Sequence, residues 1–230
     1  LFDRINLKID DAKRNYIQDK QNKLREALRI ELPLKDDFLT GSYRRHTIIK
    51  PQKADTKFDV DVFVAFDNQQ YGEKELADLR TMVFNALNNI KQANPSLGIT
   101  EVNDSQRRSV RVDFGDDFRI DIVPSIEIKK DKLYKIYDSK TLKAIKSNPK
   151  LLSEANDRTG GKLVPIIKMI KSWKRDKCDY AKSFHLELLA VDILGAGEIP
   201  SYAAGLAKFF SEAIPKQQKP YLKDPANNEH

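Results

Sequence analysis

Residues 38–66, FLTGSYRRHTIIKPQKADTKFDVDVFVAF, hold the pattern that decides how this chain folds. In the second half of the stretch, Phe58, Val60, Val62, Val64 and Phe66 alternate with Asp59, Asp61, Phe63 and Ala65. A period of two is the period of a strand. Residues 58–66 are therefore predicted as a β-strand with one face in the core. The other face carries two carboxylates, two residues apart, which repel each other and compete for water. A divalent cation removes that repulsion, and an all-oxygen ligand set suits Mg²⁺ rather than zinc. The histidines are His46, His185 and His230 and the one cysteine is Cys178, so no His/Cys cluster competes for the metal role.

A third acid stands in FRIDIVPSIE, residues 118–127. Ile120 and Ile122 share one face of this predicted strand and leave Arg119, Asp121 and Val123 on the other. Beside the first strand, Asp121 would complete a three-carboxylate set, able to hold two metals about 3.5–4 Å apart. Upstream, Gly41 lets backbone N–H groups approach a phosphate closely, and the Ser42 hydroxyl adds a donor. Asp113 also alternates with apolar neighbours, but nothing near it binds phosphate, and it reads as a surface or turn residue. Thr159-Gly160-Gly161-Lys162 hints at a P-loop but lacks the earlier glycine, because Asn156 precedes it.

Outward from these motifs, the apolar spacing of residues 2–30 predicts a long amphipathic helix ended by Pro33. A second helix is expected over 73–93, closed by Asn94-Pro95. Strands follow at 99–103, 108–114 and 118–123, the last two joined by a hairpin at Gly115-Asp116-Asp117. From there the pattern reads as helical, over 140–147, 162–176, 182–194 and 201–213. The expected fold class is α+β, with a mixed-sheet lobe and long N-terminal helix over residues 1–140. A helical lobe over 141–230 would complete a ligand cleft.

The chain has 230 residues, 40% apolar and 33% charged, so folding around a sizeable core is expected. Its 41 basic against 34 acidic side chains give a net charge of +7, which favours polyanionic partners. One cysteine fits a reducing compartment. The charged opening LFDRINLKID does not read as a signal peptide, and FHLELLAVDILGAG (184–197) is too short and too acidic to span a bilayer. A cytoplasmic protein with no membrane partner is expected.

Taken together, TGSYRRHT (40–47), FDVDVFVAF (58–66) and RIDIVPSIE (119–127) resemble the polymerase β-like nucleotidyltransferases. Within that superfamily they look most like the CD-NTases, bacterial relatives of cyclic GMP–AMP synthase and oligoadenylate synthase. GGKLVPIIKMIKSWKR (160–175), KSFHLELLAVDIL (182–194) and KDPANN (223–228) are similar to elements of that family's helical lobe. The resemblance implies that Gly41 and Ser42 hold the donor triphosphate. It implies that Asp59 and Asp61 bind two Mg²⁺ (or Mn²⁺) ions, while Asp121 binds one and helps to deprotonate the acceptor hydroxyl. Lys168 or Lys171 would reach the donor phosphates, Ser183 would add a hydrogen bond, and Phe184 would stack on the donor base where the family often has tyrosine. His185 is expected to pack between helices.

The activity so implied is template-independent joining of nucleoside triphosphates, ATP among them. The product would be a cyclic di- or trinucleotide messenger of antiphage (CBASS-type) defence. A regulatory protein or an activating polyanion would be a partner. Two other readings stay open on the residues: a linear oligoadenylate or RNA-tailing transferase, and an inactive nucleotide or nucleic-acid sensor.

Overall fold

The alternation in residues 58–66 produces an inner strand of a seven-stranded sheet. The computed structural model describes residues 9–50, 57–71, 76–115, 118–129, 133–149, 161–178 and 180–217. The long helix α1 spans Asp11–Glu31, and β1, Leu34–Thr40, follows it. The short helix α2, Gly41–Arg44, leads towards β2, Phe58–Phe66. Helices α3, Asn68–Tyr71, and α4, Leu76–Ala93, precede β3, Glu101–Asn103, and β4, Val110–Phe114. Then come β5, Phe118–Lys129, β6, Leu133–Asp138, and β7, Lys143–Ser147. Three helices complete the described chain: α5 (Leu163–Lys177), α6 (Ser183–Leu194) and α7 (Tyr202–Gln217).

The strand order is β1-β2-β5-β4-β3, with β6 on β5 and β7 on β6. The β2–β5 pair is parallel and the other pairs are antiparallel, so the sheet is mixed as expected. Val60, Val62, Val64 and Phe66 turn to the side where α1 contributes Ile17, Leu24 and Leu28 and α4 contributes Leu79, Val83 and Leu87. Each such side chain stabilises the fold by about 1.5–3 kcal/mol when fully buried. Asp10 caps α1 by accepting the Lys13 N–H at 2.7 Å. Arg25 and Arg29, on its exposed flank, clamp the buried Asp37 of β1.

A separate core holds the helical lobe together. Leu163, Ile166, Ile167 and Ile170 of α5 pack on Leu186, Leu189 and Ile193 of α6 and on Phe209 of α7. The helices expected over 162–176, 182–194 and 201–213 are thus present within a few residues. Among the described residues no helix is long and apolar enough to cross a membrane.

Three expectations need correction. Residues 143–147 form β7, not a helix, because pairing with β6 supplies hydrogen bonds that local propensity had assigned to a helical turn. The sheet therefore runs past the expected lobe boundary at 140/141, which cuts between two paired strands. Asp113 sits inside β4, where its carboxylate accepts from Lys57 Nζ at 2.6 Å, so it is a half-buried ion-pair residue rather than a turn residue. The first residues of the expected 2–30 helix, the Asp116-Asp117 step and KDPANN lie outside the described residues.

Candidate active site

The parallel pairing of β2 with β5 sets the site. Asp61 is opposite Asp121 and Asp59 is opposite Arg119, so the three acids share one face of two neighbouring strands. On the other flank of β2, Thr40 is opposite Asp61, which brings the turn after β1 over the same carboxylates. Gly41 takes a left-handed backbone conformation with φ +68°, one that L side chains rarely adopt. A Cβ built on it would collide with Asp61 Oδ2, so the carboxyl lies directly against the glycine backbone. Ser42 follows on the rim of a cleft of about 500 Å³.

The cleft is closed on its far side by the helical lobe. Gly41, Ser42, Asp59, Asp61, Asp121, Lys171, Ser183 and Phe184 all line it. Lys168 does not: it lines a second groove, nearly one helical turn before Lys171 on the same helix. His185 is exposed rather than packed between helices, its ring 6.4 Å from that of Phe184.

The acids are held by arginines. Arg111 of β4 grips Asp121 with two bonds of 2.9 Å and approaches Asp59 Oδ1 at 3.9 Å. Arg119 donates to Asp59. Burial raises the Asp61 carboxyl to about 7, and the neighbouring charges of Asp121 and Asp59 push it the same way; Arg45 and Arg111 only moderate the rise. Among the described residues, no three His, Cys, Asp or Glu side chains are gathered tightly enough to hold a metal ion as they stand. Asp59 and Asp121 are instead turned onto their arginines. The donor set nevertheless fits a divalent cation: it is all oxygen, it comes from adjacent positions on paired strands, and its like-charge strain at Asp61 is what a cation relieves.

Sequence reasoning missed the joint between the lobes. Glu187 of α6 is 3% exposed and binds Lys171 of α5 at 2.7 Å, Arg45 at 2.5 Å and the Thr47 hydroxyl at 3.0 Å. Lys171 also donates to the Thr47 carbonyl at 3.2 Å and to its hydroxyl at 3.0 Å. Burial and the nearby Arg45 lower the lysine's pKa, partly offset by Glu187. Burial alone would raise that of Glu187, but the attraction of Lys171 and Arg45 leaves it lowered. The Arg45 guanidinium also stands 5.9 Å from the centre of the Phe184 ring. The signal was Glu187 inside the apolar run LELLAV (186–191): a glutamate there needs a buried cation.

Residues 3–158 match the sequence model of the family described as SMODS, the Second Messenger Oligonucleotide or Dinucleotide Synthetase domain. The "CBASS oligonucleotide cyclase CdnC" of Escherichia coli (strain KTE188) is 26% identical over 225 residues, covering 93% of this chain and 69% of that protein. A solved E. coli MS115-1 CdnC:HORMA-deltaN complex shares the fold at TM-score 0.72 and 20% identity, covering 100% of this chain and 80% of that one. The Elizabethkingia meningoseptica CdnE cyclic dinucleotide synthase, solved with GTP and Apcpp, gives TM-score 0.67 at 19% identity, covering 86% of this chain and 77% of that one.

Proposed function

Because the chain belongs to the SMODS family of second messenger oligonucleotide or dinucleotide synthetases, we propose that it joins ribonucleoside triphosphates, ATP among them, into a cyclic di- or trinucleotide. CBASS-type antiphage defence is the setting, supported by the similar E. coli oligonucleotide cyclase. The observation that carries this reading is the Gly41 backbone seated on Asp61 in a cleft shared with Asp59 and Asp121. That arrangement puts a phosphate-gripping turn next to three metal-type ligands. A linear oligoadenylate product needs the same centre, and a sensor without activity does not.

In the reaction, Gly41 and Ser42 hold the donor triphosphate, and Phe184 stacks on its base while Ser183 adds a hydrogen bond. Asp59, Asp61 and Asp121 would hold Mg²⁺, displacing the grips of Arg119 and Arg111. When bound, the cation neutralises phosphate charge and lowers the pKa of the attacking hydroxyl. Asp121 takes the proton as the acceptor oxygen bonds to the donor α-phosphorus and the α–β bond breaks, releasing pyrophosphate. A second transfer of the same kind closes the ring. Catalysis rests on positioning and charge neutralisation, with no covalent intermediate on the protein. Lys171 acts through its pairing with Glu187, which fixes the angle between the lobes, rather than by reaching the phosphates.

A cytoplasmic location belongs to this reading, since ribonucleoside triphosphates are its substrates. A regulatory protein belongs to this reading, since the similar E. coli CdnC was solved as a complex with HORMA-deltaN.

Mass spectrometry of the product from a mixture of the four ribonucleotides with Mg²⁺ tests the proposal. The expected result is a phosphatase-resistant cyclic product, lost with Asp61→Asn. A phosphatase-sensitive ladder would move the assignment to linear synthesis, and no turnover at all would leave the sensor.

A further inference from the structure

Behind the catalytic cleft lies a second groove of about 310 Å³. Arg14 and Gln18 of α1, Tyr43, Arg44 and His46 of the segment after β1, and Lys168 of α5 line it, with no acidic residue among the described residues of the lining. Elsewhere around the sheet, clustered arginines are matched to carboxylates: Arg111 to Asp121, Arg119 to Asp59, Arg107 and Arg108 to Asp138. Among the described residues, Arg14 meets only a water-exposed partner, Asp11, at 3.5 Å. Arg14, Arg44 and Lys168 line the groove together with His46, and the imidazole has its pKa lowered by burial and then by these three cations.

The groove and the cleft share a wall. Gly41 and Ser42 face the cleft, and the next two residues of the same helix, Tyr43 and Arg44, face the groove. On α5, Lys171 faces the cleft and Lys168 the groove. His46 takes a left-handed backbone conformation, φ +58°, and Thr47, which follows it, is bonded to both Lys171 and Glu187. A conformation uncommon in non-glycine residues persists only where its surroundings hold it.

We propose that this groove is a second ligand site, which takes a small phosphate-bearing anion whose binding acts on the Gly41–Ser42 turn through the shared wall. Two arginine forks suit a phosphate group bidentately, and the lysine adds a point charge. The volume is that of a compact small-molecule site. Polar Gln18 and the Tyr43 ring give the rest of such a ligand both hydrogen-bonding and apolar contact. The site stands on its own residues and does not depend on the transfer activity.

Pyrophosphate titrated calorimetrically in EDTA tests it. Without divalent metal the three cleft carboxylates repel the anion, so binding reports on the groove. The wild type is expected to bind one pyrophosphate and to slow amide exchange over residues 42–48. Combined Arg14→Gln and Arg44→Gln is expected to weaken binding roughly tenfold or more, the loss of charge-assisted hydrogen bonds. Arg44→Lys, which keeps the charge and loses the fork, should fall between, and Ser42→Ala should bind as the wild type does. A melting curve checks that each variant is folded, and Lys168→Met repeats the test should the arginine pair unfold. No binding at millimolar pyrophosphate, equal binding by the arginine variant, loss in Ser42→Ala, or binding of long nucleic acid alone would each overturn the proposal.

Discussion

The Asp61 carboxyl lies against the bare backbone of Gly41, in the space that any side chain at position 41 would occupy. Two constraints coincide there, a positive φ and a contact that excludes even a methyl group. Gly41→Ala should therefore rotate Asp61 out of its place and strain the turn. The expected outcome is a stability loss of roughly 1–3 kcal/mol. Turnover should fall far more than that loss explains. Thermal melting and initial rates on one preparation check both.

Asp61→Asn removes one of three mutually repelling charges without changing shape. In metal-free buffer at pH 8 the variant should melt above the wild type, because Asp61 is ionised there against burial and its neighbours. With Mg²⁺ and nucleotide it should lose roughly a thousandfold in rate, the upper range for one preorganised electrostatic group. Stability and activity moving in opposite directions is the signature of a functional centre. A variant that lost both would mark Asp61 as structural.

Glu187→Gln strands two buried cations, Arg45 and Lys171, at the joint between the lobes. Removing one partner of a buried ion pair costs about 3–5 kcal/mol. Chemical denaturation is expected to show a loss of that size, and Lys171→Met in the same chain should restore part of it. Without such recovery, the two residues are not coupled.

Asp138 is 1% exposed, and Arg107 and Arg108 bind it together with the backbone N–H groups of Lys140 and Thr141. Burial alone would raise its pKa, but the two arginines outweigh it and hold the carboxyl below the usual range. A depressed acid contributes stability that is fully present above the unfolded value, about 3.9, and is lost as pH falls below it. Asp138→Asn should therefore destabilise at pH 7 by roughly 1–3 kcal/mol. The gap from wild type should narrow below pH 4, which denaturation midpoints at pH 7, 4 and 2.5 would show.

The predicted pieces that held were those whose signal is local. The two-residue period of 58–66 yields β2, and the 3.6-residue period of 163–176 yields α5. Residues 143–147 went wrong because Lys143, Ala144, Ile145, Lys146 and Ser147 have no strong strand pattern of their own. They are a strand only because β6 offers an edge. β1 went unread for a similar reason: its Leu34–Thr40 run carries two adjacent acids, and Asp37 is buried only because Arg25 and Arg29 reach it from α1.

For the site, the sequence by itself determined that Asp59 and Asp61 share a face and that Gly41 can take a conformation other residues avoid, since side-chain alternation and glycine's missing Cβ are properties of the chain. Only the tertiary structure decided that Asp121 stands opposite Asp61, that Lys171 faces the cleft while Lys168 faces away, and that Glu187 locks the lobes. Those are matters of strand register and of packing between distant segments, and no periodicity within a single segment encodes them.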